Sequence, residues 1–166
     1  IQPAPISGWT ATGNYGVNVS GPGPFANNGI NPEQDRVAFL QGDATLSQFV
    51  EELEDGEAYH LSFAFNARSG NRPTLNVSVN GETALEYEVN PVGDAEPYYV
   101  FVYNFTADSD VADIAFAQTA AGDNTVLLDD VRLLKGKGTE VELPGPEEPA
   151  VPISMALGQG ADSSLT

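Results

Sequence analysis

The chain has no cysteine, one histidine, one tryptophan, one methionine and only six basic residues among 166. Without cysteine there are no disulfides and no thiolate metal sites. A single histidine, His60, leaves no His-Glu-x-x-His pair, and neither a Gly-x-Ser-x-Gly elbow nor a Gly-rich, Lys-terminated phosphate loop occurs. No stretch approaches the roughly 20 apolar residues of a membrane helix. No signal-peptide pattern opens the chain, which reads as a mature piece or an excised fragment. The shortage of bases is set against 24 acids, for a formal charge of −18. Such a field repels DNA, RNA and anionic lipid and makes polyanionic glycans awkward ligands. It favours neutral partners and divalent cations. Few lysines beside many acids also suits salty surroundings, where screening relieves self-repulsion.

What is abundant is short alternation broken by turn residues, the pattern of an all-β sandwich. Strands are predicted at 36–41, 45–50, 58–68, 74–79, 83–89, 98–106, 112–119 and 125–134. The helix-like stretch from Gln48 ends in Asp55-Gly56 and reads as a strand entering a turn. At Asn80-Gly81 the hydrophobic pattern selects register. A two-residue turn would set acids opposite Leu75 and Val77, so a three-residue loop with left-handed Gly81 is expected, pairing Val79 with Thr83, Val77 with Leu85 and Leu75 with Tyr87. The sandwich spans about 1–134. Residues 135–150 have the Pro, Gly and Glu content of an extended linker. Residues 151–166 are either the start of a further domain or an added strand.

The most informative ribbon is Tyr59–Gly70. Period-two alternation puts Leu61, Phe63, Phe65 and Ala67 on a core face and His60, Ser62, Ala64, Asn66 and Arg68 on the other. The second face reads as the floor of a shallow polar groove, with an amide and a guanidinium as donors. The stretch 8–32 reads as a long Gly- and Asn-rich loop. Its Trp9, Tyr15 and Phe25 either stack on sugar rings or plug the sandwich end. Gln41 and Gln118 extend the polar set at strand ends, with a satisfied structural role as the alternative. His60 reads as a surface or groove-edge side chain, with a catalytic role as the alternative. Asn18, Asn76 and Asn104 head glycosylation sequons. No acid pair stands out for glycoside cleavage. Asp108, Asp110 and Asp113 lack EF-hand spacing and read as a solvated turn. Asp129 shares a face with Leu127, Val131 and Leu133. A carboxylate there needs a cation or strong donors, so structural Ca2+ and a backbone-capping role both stand.

RVAFLQG at 36–42, the Leu53–Tyr59 run leading into HLSFAFNAR, and TVLLDDVRLL at 125–134 together resemble the jelly-roll carbohydrate-binding modules of the galactose-binding-domain-like superfamily, particularly those that bind xylan and β-glucan. The resemblance implies two stacked antiparallel sheets, extracellular or cell-surface display beside a glycan-degrading catalytic domain, no catalysis, and a structural calcium near the last strand with Asp129 as a ligand. The usual opening strand with its Asn-Gly-x-Phe-Glu-like pattern is absent from IQPAPISGW. Either it is missing, which would expose a sheet edge for strand addition, or another segment takes its place. The expected function is therefore recognition of a neutral polysaccharide through Asn66, Arg68 and the Trp9/Tyr15/Phe25 loop. The alternative is a structural subunit of a fibre or surface layer, self-assembled by strand exchange through the tail.

Overall fold

A computed structural model describes residues 6–19, 29–32 and 36–145. Among them are eight strands: β1 Thr10–Val19, β2 Arg36–Val50, β3 Ala58–Ala67, β4 Thr74–Val79, β5 Glu82–Glu88, β6 Tyr99–Thr106, β7 Ala112–Gln118 and β8 Thr125–Lys135. All their pairings are antiparallel. The jelly-roll sandwich expected from the sequence is what the chain adopts.

One strand belongs to both layers. The Ala44–Val50 part of β2 pairs β7, completing a β5-β4-β7-β2 layer, while its Ala38–Gln41 part pairs β8 in a β2-β8-β3-β6 layer. The predicted strands 36–41 and 45–50 are thus a single strand that bends at Gly42, whose φ is +62°. β1 follows the bend with its own irregularity at Gly13. There a Cβ would lie 2.3 Å from the Asp43 carbonyl oxygen at φ +80°, so only glycine fits this corner.

β1 corrects one expectation. Part of the stretch taken as a loop is a strand on the β2 edge. Its glycines and asparagines serve the corner, although in sequence they resemble turn signals. The hairpin is corrected too. Asn80 and Gly81 both have positive φ and form a two-residue turn pairing Val79 with Glu82. The extra residue sits in β5 instead, as a bulge at Ala84, which restores the expected Val77–Leu85 and Leu75–Tyr87 pairs.

Between the layers lie Leu40, Leu46, Leu61, Phe63, Phe65, Leu75, Val77, Ile114, Phe116 and Leu128, all buried. Phe63 touches Phe65, Phe101 and Phe116 with ring centroids 5.1–5.8 Å apart. The core face of β3 is the expected one.

Its other face is not an open groove. Ala64 is buried in a second cluster with Val37, Phe39, Tyr98 and Leu127. These apolar residues share the outer side of the β8-containing layer and need a cover of their own. The loop before β6 and residues 29–32 supply it, joined by an Ile30–Pro97 bridge and by Tyr98 N–H donating to the Ile30 carbonyl.

The predicted linker is partly bound. The His60 ring Nδ1 lies 2.9 Å from the Gly136 carbonyl, Asn104 exchanges two hydrogen bonds with Gly138, Leu143 packs on the core and the Tyr87 hydroxyl donates to the Pro144 carbonyl. Residues 136–145 therefore run as a strap from the outer side of β6 to β5. The tail beyond, with its two readings, lies outside the described residues.

Candidate functional site

The residues expected to read a ligand do not come together on one surface. Asn66 is 0% exposed. Its Oδ1 accepts from Val92 N–H at 2.9 Å and its Nδ2 donates to the Val92 carbonyl at 3.1 Å, so the amide staples the covering loop to β3. A Cβ on Gly29 would sit 3.2 Å from that Nδ2, closing the roof. Burial follows from Phe39 and Leu127, which share the Asn66 face and draw the loop over it. The strand face was assigned correctly, but its exposure was not.

Arg68 stays at the surface, its side chain 33% exposed and 3.4 Å from Asp123. Asp123 also accepts from the Gln41 amide, and Gln41 accepts from Asn14, so these groups satisfy one another at one end of the sandwich. Gln118 is buried and structural. Its Oε1 accepts from Thr74 and Ala120 N–H, and its Nε2 donates to the Gly42, Ala120 and Asn124 carbonyls. Trp9 and Tyr15 turn toward the core, Trp9 lying 5.9 Å from Phe116. Phe25 lies outside the described residues.

Asp129 is 8% exposed. Oδ2 accepts from the Asn31 amide at 3.1 Å and Oδ1 from Asp130 N–H at 2.9 Å. The Asn31 Nδ2 also donates to the Arg36 carbonyl. Among the described residues, one carboxylate, one amide and one carbonyl fall short of the six to eight oxygens calcium takes, and both carboxylate oxygens already have donors. No group of three or more His, Cys, Asp or Glu side chains occurs among the described residues. The described residues fit the hydrogen-bonded carboxylate. Burial, then the Asp129 charge, holds the nearby Tyr98 hydroxyl well above its ordinary pKa, with its Asn66 hydrogen bond opposing.

The best-equipped concavity is elsewhere, where the layers fail to meet. Between the β5 and β6 edges lies a cleft of about 520 Å³ lined by Arg72, Glu86, Tyr87, Glu88, Asn90 and Tyr99, with Pro144 and Gly145 of the strap at its rim. The Tyr87 and Tyr99 rings stand 6.2 Å apart at 70°, and both rest on Phe65. The Tyr99 hydroxyl donates to the Asn90 carbonyl at 2.6 Å, which fixes that ring. Burial and the neighbouring Tyr99 raise the pKa of Tyr87. Glu86 and Glu88 are exposed, and Arg72 forms no ion pair among the described residues. The cleft can offer apolar ring faces beside carboxylate acceptors and guanidinium donors, the chemistry a hydroxyl-rich ring requires.

Sequence reading missed this set. Only Tyr87 left a trace, as an aromatic in core register on a strand otherwise carrying acids. Phe49 was also missed. It is 69% exposed and shares the Thr45–Ser47 side of β2.

By sequence the chain matches no family model and no curated protein. Its structure resembles known jelly rolls. A cyclase from Fischerella sp. TAU in complex with 4-(1H-indol-3-yl)butan-2-one superposes with TM-score 0.60 at 17% identity, over 83% of this chain and 89% of the cyclase. A CBM61 module in complex with β-1,4-galactotriose gives 0.51 at 17%, over 78% and 90%. The CBM22-1 xylan-binding domain from Paenibacillus barcinonensis gives 0.50 at 18%, over 80% and 88%. The chain thus has the fold of carbohydrate-binding modules, a fold that the cyclase also uses.

Proposed function

We propose that this domain is a non-catalytic module that binds a neutral polysaccharide in the cleft between β5 and β6. The observation that carries the reading is the convergence of two tyrosine rings with Arg72, Glu86, Glu88 and Asn90 in one open concavity. Ring C–H faces would pack on the tyrosines, and sugar hydroxyls would donate to the glutamates and accept from Arg72. Two exposed carboxylates and the −18 charge argue against an anionic glycan. Display outside the cell beside a glycan-degrading catalytic domain accords with the fold shared with CBM61 and CBM22-1. Affinity is weak because little area is buried, and neighbouring modules supply avidity.

Calorimetric titration with xylo-, cello- and galacto-oligosaccharides tests the reading. Arg72→Ala and Glu88→Gln, both at exposed positions, should each weaken the best ligand about tenfold, the scale of one charge-assisted hydrogen bond. Silence toward every neutral glycan, or binding indifferent to both variants, would refute it.

A further inference from the structure

We propose a second binding site, independent of the sugar cleft: an apolar cavity between the two layers beside Trp9, which takes a small uncharged aromatic molecule of one or two rings. Sandwich interiors are close-packed, yet a space of about 210 Å³ remains here. Leu46 and Ile114 wall it from one layer, and Leu61 and Leu133 from the other. For scale, an apolar cavity of about 150 Å³ accepts benzene and excludes water. This space therefore suits one ring with substituents or two fused rings.

Chemistry narrows the occupant further. The walls provide almost no partners for hydroxyls, so a sugar would lose its hydrogen bonds on entering, and an ion would lose more. The polar exception is the Gln48 amide, which makes no hydrogen bond to any described residue and offers one donor–acceptor group at the wall. Trp9 presents an indole against which a flat ring can pack.

A route from solvent exists. Ile6, Trp9, Ala38, Leu128 and Val131 line both this cavity and a surface groove of about 460 Å³ that continues past Val17 and Arg132. Trp9 N–H donates to the Ile6 carbonyl at 3.0 Å, so a short turn sets both side chains at the mouth.

Trp9 is the only tryptophan, so its emission reports this cavity and the groove at its mouth, and nothing at the sugar cleft. Toluene and naphthalene should shift that emission saturably, with dissociation constants on the order of 0.1–1 mM, as small ligands of this size allow. Oligosaccharides that fill the Tyr87–Tyr99 cleft should leave it unchanged. Ala38→Phe and, separately, Val50→Phe should fill the space and weaken toluene binding at least tenfold. Saturation-transfer NMR on toluene gives a second readout for any variant whose emission changes by itself. Absence of saturable binding by both readouts, or undiminished binding in both filled variants, would overturn the proposal. Loss of sugar binding in Arg72→Ala with toluene binding intact would separate the two sites.

Discussion

Replacing Asn66 with alanine distinguishes a ligand-reading amide from a fold-holding one. The side chain makes two hydrogen bonds to the main chain of Val92, at 2.9 and 3.1 Å, and a further one with Tyr98. Each such bond contributes about 1 kcal/mol net, and a buried partner left unsatisfied costs about 1–3 kcal/mol. Val92 is half-buried, so water repairs part of the loss there, whereas Tyr98 is buried. The expected destabilisation is about 3–4 kcal/mol, a large share of the 5–15 kcal/mol typical of a whole domain. Urea denaturation followed by far-UV circular dichroism measures it. Arg68→Ala provides the contrast. Its ion pair with Asp123 is partly exposed and long at 3.4 Å, so the loss should stay below about 1 kcal/mol. If Asn66→Ala costs less than 1 kcal/mol while abolishing binding of an oligosaccharide, the stapling account is wrong and the amide faces ligand.

Gly13→Ala should destabilise by at least about 3 kcal/mol, because its Cβ would meet the Asp43 carbonyl at 2.3 Å, whereas Gly81→Ala, with nothing within 4 Å, should cost only the left-handed penalty of about 1–2 kcal/mol; comparing their urea midpoints tests the corner. Tyr98 gives an alkaline signature. Its folded pKa is raised, so its stabilisation is complete below the ordinary tyrosine value near 10 and is lost as pH rises past it, where the unfolded chain ionises first. The decline should approach about 1.4 kcal/mol per pH unit for this group, and Tyr98→Phe should flatten it; an unchanged slope would refute the assignment. Chelation with EDTA should leave the melting temperature unchanged, because Asp129 already holds its donors; a rise of several degrees on adding calcium would instead place a cation there.

Much of the architecture was legible because half-buried strands alternate. Leu61, Phe63, Phe65 and Ala67 were assigned to the core from parity alone, and they occupy it. Parity also gave the Leu75–Tyr87 and Val77–Leu85 pairs, although it misplaced the extra residue, since a bulge at Ala84 and a longer loop restore the same register. What parity cannot reveal is whether the second face is covered. The available signal was the run of large apolar residues in immediate succession, Phe39-Leu40 and Val126-Leu127-Leu128, which marks a strand buried on both sides. Weighing those pairs against the polar row of β3 would have put Asn66 under a roof. β1 escaped because a strand turning a corner needs glycine where a straight strand would carry a side chain.

The cleft was illegible for a different reason. Arg72 lies in the loop before β4, Glu86 and Glu88 on β5, Tyr99 on β6 and Pro144 on the strap, so only long-range pairing brings them together. β5 and β6 end their layers on the same side, and the core there is closed by Tyr87 and Tyr99 instead of a further strand. Those rings have two duties: they pack on Phe65 from within and form the cleft wall. Alanine at either tyrosine would therefore weaken the core along with any sugar contact, and lost binding could not be apportioned between the two. Arg72 and Glu88 are exposed at the rim and carry no such structural burden, so a binding deficit in their variants, at unchanged stability, reports the cleft itself.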